Sequence, residues 1–166
     1  EAMVLGLEES GDGGLARSAV QSLAGLIGDV DCVVAGPGMV PNRSTDRLAA
    51  LLCKSGKPIA LDAGVLRVLP RRRKEAADAT VPPILLPHAG EMAALLECEK
   101  AEVEDDPVAA GRQCAARYDA VTLVKGPQSH VVTPDGRTWK YRGGGPGLGV
   151  SGSGDTLAGI LGGLLA

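Results

Sequence analysis

Two kinds of segment alternate along this chain. Short runs rich in Val, Ile and Leu occupy residues 3–7, 32–35 (CVVA), 58–61 (PIAL), 84–86 and 120–124 (AVTLV). Between them, residues 15–27, 45–54, 90–96 and 107–117 place apolar side chains three and four positions apart. The first pattern predicts strands and the second amphipathic helices. Strands that alternate with helices are joined by right-handed crossovers, so the expected sheet is mostly parallel and covered on both faces. After residue 129 the pattern changes: HVVT, PDG and RTWKY over residues 130–141 predict a hairpin turning at residues 134–136. The expected fold class is therefore α/β, a three-layer arrangement of a mostly parallel sheet flanked by helices, with a late antiparallel hairpin.

Composition narrows this picture. At 166 residues the chain fits one domain, residues 1–166, and a compact chain of that size buries roughly 70% of its unfolded surface. Aromatic residues make up only 2% and Phe is absent, so the core must be built from Val, Leu, Ile and Ala. The 24 glycines and 11 prolines are scattered between periodic segments, which predicts many tight turns and not disorder. A net charge of -3, with no basic stretch interleaved with aromatics, excludes nucleic acid as an expected partner. The dense positive cluster RRRK, residues 71–74, reads as a solvated helix face or loop. Cys32, Cys53, Cys98 and Cys114 are widely spaced and lack companion histidines, so buried free thiols are expected, without a disulfide framework or a zinc site. No apolar run approaches the ~20 residues of a membrane span and no signal-peptide pattern opens the chain. A soluble, cytoplasmic protein without a membrane partner is the expectation.

In an open α/β sheet, ligands bind beyond the carboxyl ends of the strands. Four strand ends here run into loops of special composition: Gly36-Pro37-Gly38-Met39, Asp62-Ala63-Gly64, Pro87-His88-Ala89-Gly90-Glu91 and Lys125-Gly126. Near the chain end, SGSGDT (residues 151–156) leads into the apolar stretch LAGILGGLLA. A glycine-rich loop entering a helix offers unpaired N–H groups at the positive end of the helix dipole, where an anion is favoured. An acid lodged there can take a proton from a hydroxyl beside a transferring phosphoryl group. Asp155 also fits as an ordinary first-turn acid, and Ser153 as an N-cap. His88 reads equally as a structural residue or a ligand contact. Lys125 reads either as a strand-end lysine reaching solvent or as a charge facing the ligand rim.

GPGM (residues 36–39), LDAGVL (61–66), LPHAGEM (86–92), LVKGPQS (123–129) and GGGPGLGVSGSGDTLAGILGGLLA (143–166) occur in this order. The arrangement resembles the ADP- or ATP-dependent NAD(P)H-hydrate dehydratases, a branch of the ribokinase-like superfamily, and covers nearly the whole chain from Val34 onward. GSGD with its following helix marks the superfamily. PHxGEM with KG and the long glycine-rich lead-in is more specific to the dehydratases.

The resemblance implies a ribokinase-like fold and a repair reaction, in which a nucleotide phosphate activates the hydroxyl of hydrated NAD(P)H and elimination restores the nicotinamide. By the same resemblance Asp155 is the catalytic acid/base, and Gly152, Ser153 and Gly154 form an anion hole. Lys125, Gly126, Pro127, Gln128 and Ser129 would hold the adenine nucleotide together with Gly154. Gly36, Gly38, His88 and Asp155 would contact the hydrated cofactor, and Glu91 would organise its loop or a magnesium water. ADP or ATP and Mg²⁺ are the implied cofactors, with no direct metal ligands, and a homo-oligomer is expected. The chain departs from the family's DADAL in Asp62-Ala63-Gly64-Val65-Leu66, which lacks the second acid. An Asn and a Thr hydroxyl of the glycine-rich lead-in are also absent. Family domains are longer, so a partial domain is expected. Two other functions stay open: a ribokinase-like kinase for a small alcohol, and a non-catalytic nucleotide-binding remnant.

Overall fold

A computed structural model describes residues 3–145, 147 and 149–166. Pro146 and Leu148 of the glycine-rich lead-in lie outside the described residues. Six strands form one sheet: β1 Val33–Ala35, β2 Ile59–Leu61, β3 Ile84–Leu85, β4 Val121–Val124, β5 Ser129–Val132 and β6 Thr138–Tyr141. They lie side by side in chain order, with β1 to β4 parallel and β4 to β6 antiparallel. This is the α/β architecture that the alternating pattern predicts.

Parallel strands laid down in sequence with crossovers of one hand place their connecting helices on one face. Those helices are α2 Arg43–Cys53, α3 Ala63–Leu66, α4 Arg73–Ala77, α5 Ala89–Leu96, α6 Lys100–Asp105 and α7 Pro107–Tyr118, with α1 Arg17–Leu26 preceding β1 and packing beside α2. The core lies between these helices and the sheet, where Leu52, Leu61, Leu85, Met92 and Leu95 are fully buried. Tyr118 is buried there too; its hydroxyl donates to the Leu95 carbonyl at 2.9 Å, and burial pushes its pKa up to about 12.

The last helix, α8 Ser153–Leu165, takes the opposite face. Side chains alternate along a strand, so Val34 points away from the Val33 and Ala35 side. Gly162 packs against Val34 closely enough that a β-carbon there would lie 2.5 Å from its methyl group. α8 packs on β1 and β2. At the far end of the sheet Trp139 and Tyr141 are half or more exposed, so the expected cover on both faces extends over only part of the second face.

Capping explains where several elements begin. Asn42 accepts from the Ser44 and Thr45 N–H groups at 2.9 Å, which starts α2 two residues before the apolar spacing suggests. The Asn42 amide also donates to Ser10, Asp12 and the Leu15 carbonyl, tying the loop before α1 to α2. Asp106 and Pro107 start α7 as N-cap and first helical residue.

Three expectations are corrected. Residues 3–7 form no strand: their backbone pairs with no neighbour among the described residues, and Met3 and Val4 are exposed. An apolar run does not make a strand without a ladder to join. The cluster at residues 71–74 is not simply solvated, because Arg72 donates to Asp46 and Glu75 and binds α4 to α2. Of the four free cysteines, Cys53 and Cys114 are buried, whereas Cys32 and Cys98 are half-exposed. No helix among the described residues is long and apolar enough to cross a membrane.

Candidate active site

The carboxyl ends of β1 to β4 carry the four loops, and backbone contacts lock them to one another. After β1 the chain turns at Gly36, whose φ of 125° favours glycine, and the Met39 N–H donates to the Gly36 carbonyl at 3.0 Å. A β-carbon on Gly36 would lie 1.7 Å from the Asp62 carbonyl oxygen. Reciprocally, one on Gly64 would lie 1.9 Å from the Met39 carbonyl oxygen. Two glycines thus let the first loop and the loop after β2 interpenetrate. Gly38, at φ 68°, is on the exposed side of the same turn.

The loop after β2 begins with Asp62, which is 2% exposed. Its Oδ1 accepts from the Ala63 N–H at 2.8 Å and from Lys125 Nζ at 2.7 Å. Lys125 leaves β4 with its N–H bonded to the Pro87 carbonyl at 2.9 Å, which also brings the third and fourth loops together. With its side chain only 20% exposed and engaged by Asp62, Lys125 does not reach freely into solvent.

His88 caps α5. Its Nδ1 accepts from the Gly90 and Glu91 N–H groups at 3.0 and 3.3 Å, while Glu91 Oε2 accepts from the His88 N–H at 3.0 Å. This reciprocal arrangement is a capping box with histidine at the N-cap. An Nδ1 that accepts is unprotonated, so the ring's N–H is on Nε2, 3.5 Å from Glu91 Oε1. The imidazole side chain is 58% exposed on the rim. Glu91 thereby ties the first turn of α5 back onto its own N-cap.

α8 meets this rim with its first turn. Its N-cap is Gly152 at φ 83°, and no side chain caps it, so Ser153 is the first helical residue and not the N-cap. The Ser153 N–H donates to the Val150 carbonyl at 3.2 Å and the Thr156 N–H to Gly152. Among the described residues, the N–H groups of Gly154 and Asp155 carry no hydrogen bond. A β-carbon on Gly154 would stand 3.8 Å from Lys125 Nζ and 4.0 Å from Asp62 Oδ2. The open helix terminus, the lysine and the buried acid, distant in sequence, converge at one point.

Asp155, the residue after Gly154, borders a cavity of about 430 Å³ along β1. The walls are apolar, including Leu15, Leu23, Ile27, Val33 and Met39, and among the described residues Asp155 is the one charged residue lining it. Gly36 lines the same cavity. His88 and Gly38 do not, and Gly126, Pro127 and Gln128 lie in the exposed connection to Ser129, the first residue of β5. Among the described residues no group of three or more His, Cys, Asp or Glu side chains could hold a metal ion.

Asp62 is the site residue missing from the sequence-based set of binding positions. An acid directly after a buried strand, on the same rim as the other loops, was the available signal. Its contact with Lys125 depends on strand register and has no local signature.

Comparison with known proteins shows what the chain resembles. A family model described as NAD(P)H-hydrate dehydratase, of the carbohydrate kinase type, matches residues 12–166. The ADP-dependent (S)-NAD(P)H-hydrate dehydratase of Xanthomonas campestris pv. campestris is 45% identical over 170 residues, covering 100% of this chain and 56% of its own length. The crystal structure of the ADP/ATP-dependent NAD(P)H-hydrate dehydratase from Bacillus subtilis, co-crystallised with ATP/Mg²⁺ and soaked with CoA, superposes with a TM-score of 0.72 at 27% identity. That match covers 90% of this chain and 54% of the Bacillus chain. A ribokinase-like superfamily protein from Enterococcus faecalis, 20% identical, shares the fold with a TM-score of 0.74 over 90% of this chain and 52% of its own. The chain spans about half the length of each of these three relatives.

Proposed function

The chain belongs to the NAD(P)H-hydrate dehydratase family, and from that premise we propose that it serves the nucleotide-dependent dehydration of hydrated NADH or NADPH back to the reduced cofactor. The observation that carries the reading is the convergence at α8: uncapped N–H groups with Lys125 beside Gly154, and Asp155 next to it bordering an apolar cavity. An ADP or ATP phosphate suits the N–H groups and the ammonium, and a hydroxyl-bearing nicotinamide ring suits the cavity beside Asp155.

The nucleotide supplies the phosphoryl group that makes a hydroxyl a competent leaving group. Within the chain, the Gly154 and Asp155 N–H groups and the Lys125 ammonium neutralise phosphate charge. The Asp155 carboxylate would accept the hydroxyl proton as that oxygen bonds to phosphorus and the terminal P–O bond of the nucleotide breaks. The ring C–O bond then breaks with phosphate as leaving group, and loss of a proton from the adjacent ring carbon forms the double bond. The apolar cavity walls offer the ring a surface to lie against. Gly154 lacks a side chain where a phosphate must approach the backbone. Lys125 to Ser129 form the lip against which the adenine nucleotide lies, with His88 and Gly38 on the rim for the rest of the cofactor. Mg²⁺ would arrive on the nucleotide phosphates, its usual manner of binding.

Asp155→Asn tests the assignment. It keeps size and removes the base, so turnover of the hydrate is expected to fall by about 10²-fold or more, while ADP and ATP affinity in calorimetry changes by less than about threefold. Turnover close to that of the unsubstituted protein removes Asp155 from the chemistry.

A further inference from the structure

We infer that Asp62 is a positioning residue, whose carboxylate fixes the Lys125 ammonium beneath the first turn of α8 so that a nucleotide phosphate meets a charge already in place. This role rests on the nucleotide reading above and adds a residue to it.

Asp62 is itself held firmly. Its N–H donates to the Ala35 carbonyl at 3.0 Å, its Oδ1 accepts from Ala63, and its side chain is 3% exposed. Ala63 adopts φ 42°, a conformation that non-glycine residues rarely take and that recurs at functional sites. The same Oδ1 takes the Lys125 ammonium at 2.7 Å, while Oδ2 looks toward Gly154, 4.0 Å from where a β-carbon there would stand. A free lysine loses much rotamer freedom when a ligand orders it, and that loss weakens binding. Here the loss is incurred on folding. A buried ion pair is a poor source of stability compared with apolar packing, so this pair is better explained by the geometry it imposes.

Two measurements on the full chain decide the matter. In ¹⁵N-lysine-labelled, ligand-free protein, the Lys125 ammonium should give a slowly exchanging NMR signal that is absent in Asp62→Asn. In calorimetry with ADP and with ATP, Asp62→Asn should weaken binding about tenfold in the natural background and less than about twofold in Lys125→Met, the non-additivity of residues that act through each other. The substitution retains an oxygen for the Ala63 N–H, and circular dichroism checks the fold. If it unfolds, the unsubstituted protein decides alone: the Lys125 signal should persist and shift when ADP is added.

A ligand-free protein without a protected Lys125 ammonium overturns the inference. So does a signal that ADP leaves unmoved, an equal effect of Asp62→Asn in both backgrounds, or tighter binding by that variant. A chain that shows the protected ammonium but binds neither nucleotide defeats the nucleotide reading, and with it this role, while the ion pair stands.

Discussion

Replacing Gly36 and Gly38 by alanine, one at a time, separates backbone conformation from steric fit within a single turn. Both residues have positive φ, 125° and 68°. A β-carbon on Gly38 meets nothing within 4 Å, so Gly38→Ala bears only the conformational penalty, about 1 kcal/mol. A β-carbon on Gly36 would lie 1.7 Å from the Asp62 carbonyl oxygen, and relieving that overlap moves the β1 and β2 loops apart. The bonds from Asp62 N–H to Ala35 and from Gly64 N–H to Gly36, at 3.0 and 3.3 Å, cross the gap that must open. Losing both at about 1 kcal/mol each, with backbone strain of about 1–3 kcal/mol, gives about 4 kcal/mol. For a chain of this length each kcal/mol lowers Tm by roughly 2–4 °C. Thermal unfolding followed by circular dichroism should show Gly38→Ala down by about 3 °C and Gly36→Ala by about 10 °C or more. Equal shifts would refute the claim that the first two loops are joined through that contact.

Other outcomes follow from the same structure. Asn42→Ala removes the two bonds that cap α2 and the amide contacts to the loop before α1, so the denaturant midpoint should correspond to a loss of about 1–2 kcal/mol; no change would mean that water replaces the cap. Burial holds the Cys53 and Cys114 thiols up at about 11 in the folded chain, against an ordinary value of 9.0. As pH rises from about 9 to about 11 the unfolded chain therefore loses these protons first, and stability should fall across that window by about 2 kcal/mol per thiol. Cys114→Ala should remove about half of that fall in denaturation curves, and an unchanged fall would assign it to other groups. Arg72→Ala breaks partly exposed contacts to Asp46 and Glu75 and should cost only about 1 kcal/mol, reduced in high salt; a loss independent of salt would point to packing instead.

The strands of the parallel sheet were legible because each is a short apolar run between glycine and proline signals, and the observed bounds differ from the expected ones by a residue. Ala63–Leu66, Arg73–Ala77 and Lys100–Asp105 escaped notice because helices of four to six residues are too short to display a period. Residues 3–7 failed in the opposite sense, having strand composition without a partner strand.

The site divides along the same line. Motifs local in sequence, such as the glycine-rich entry to α8 and the strand-end loops, could be read directly. The His88 and Glu91 spacing is that of a capping box and was open to such a reading, although histidine is an unusual cap. The Asp62 contact with Lys125 spans 63 positions and exists only because the parallel register of β2, β3 and β4 aligns their ends. Ser153 has the composition of an N-cap, yet Gly152 takes that place because its positive φ turns the chain into the helix.

The central proposal is that this chain serves the restoration of reduced nicotinamide cofactor with the help of an adenine nucleotide. Its most direct test supplies hydrated NADH to the purified chain with Mg²⁺ and either ADP or ATP, and follows the absorbance of NADH. The account predicts recovery that requires the nucleotide and is lost in Asp155→Asn. A folded sample that binds nucleotide and returns no NADH would contradict it.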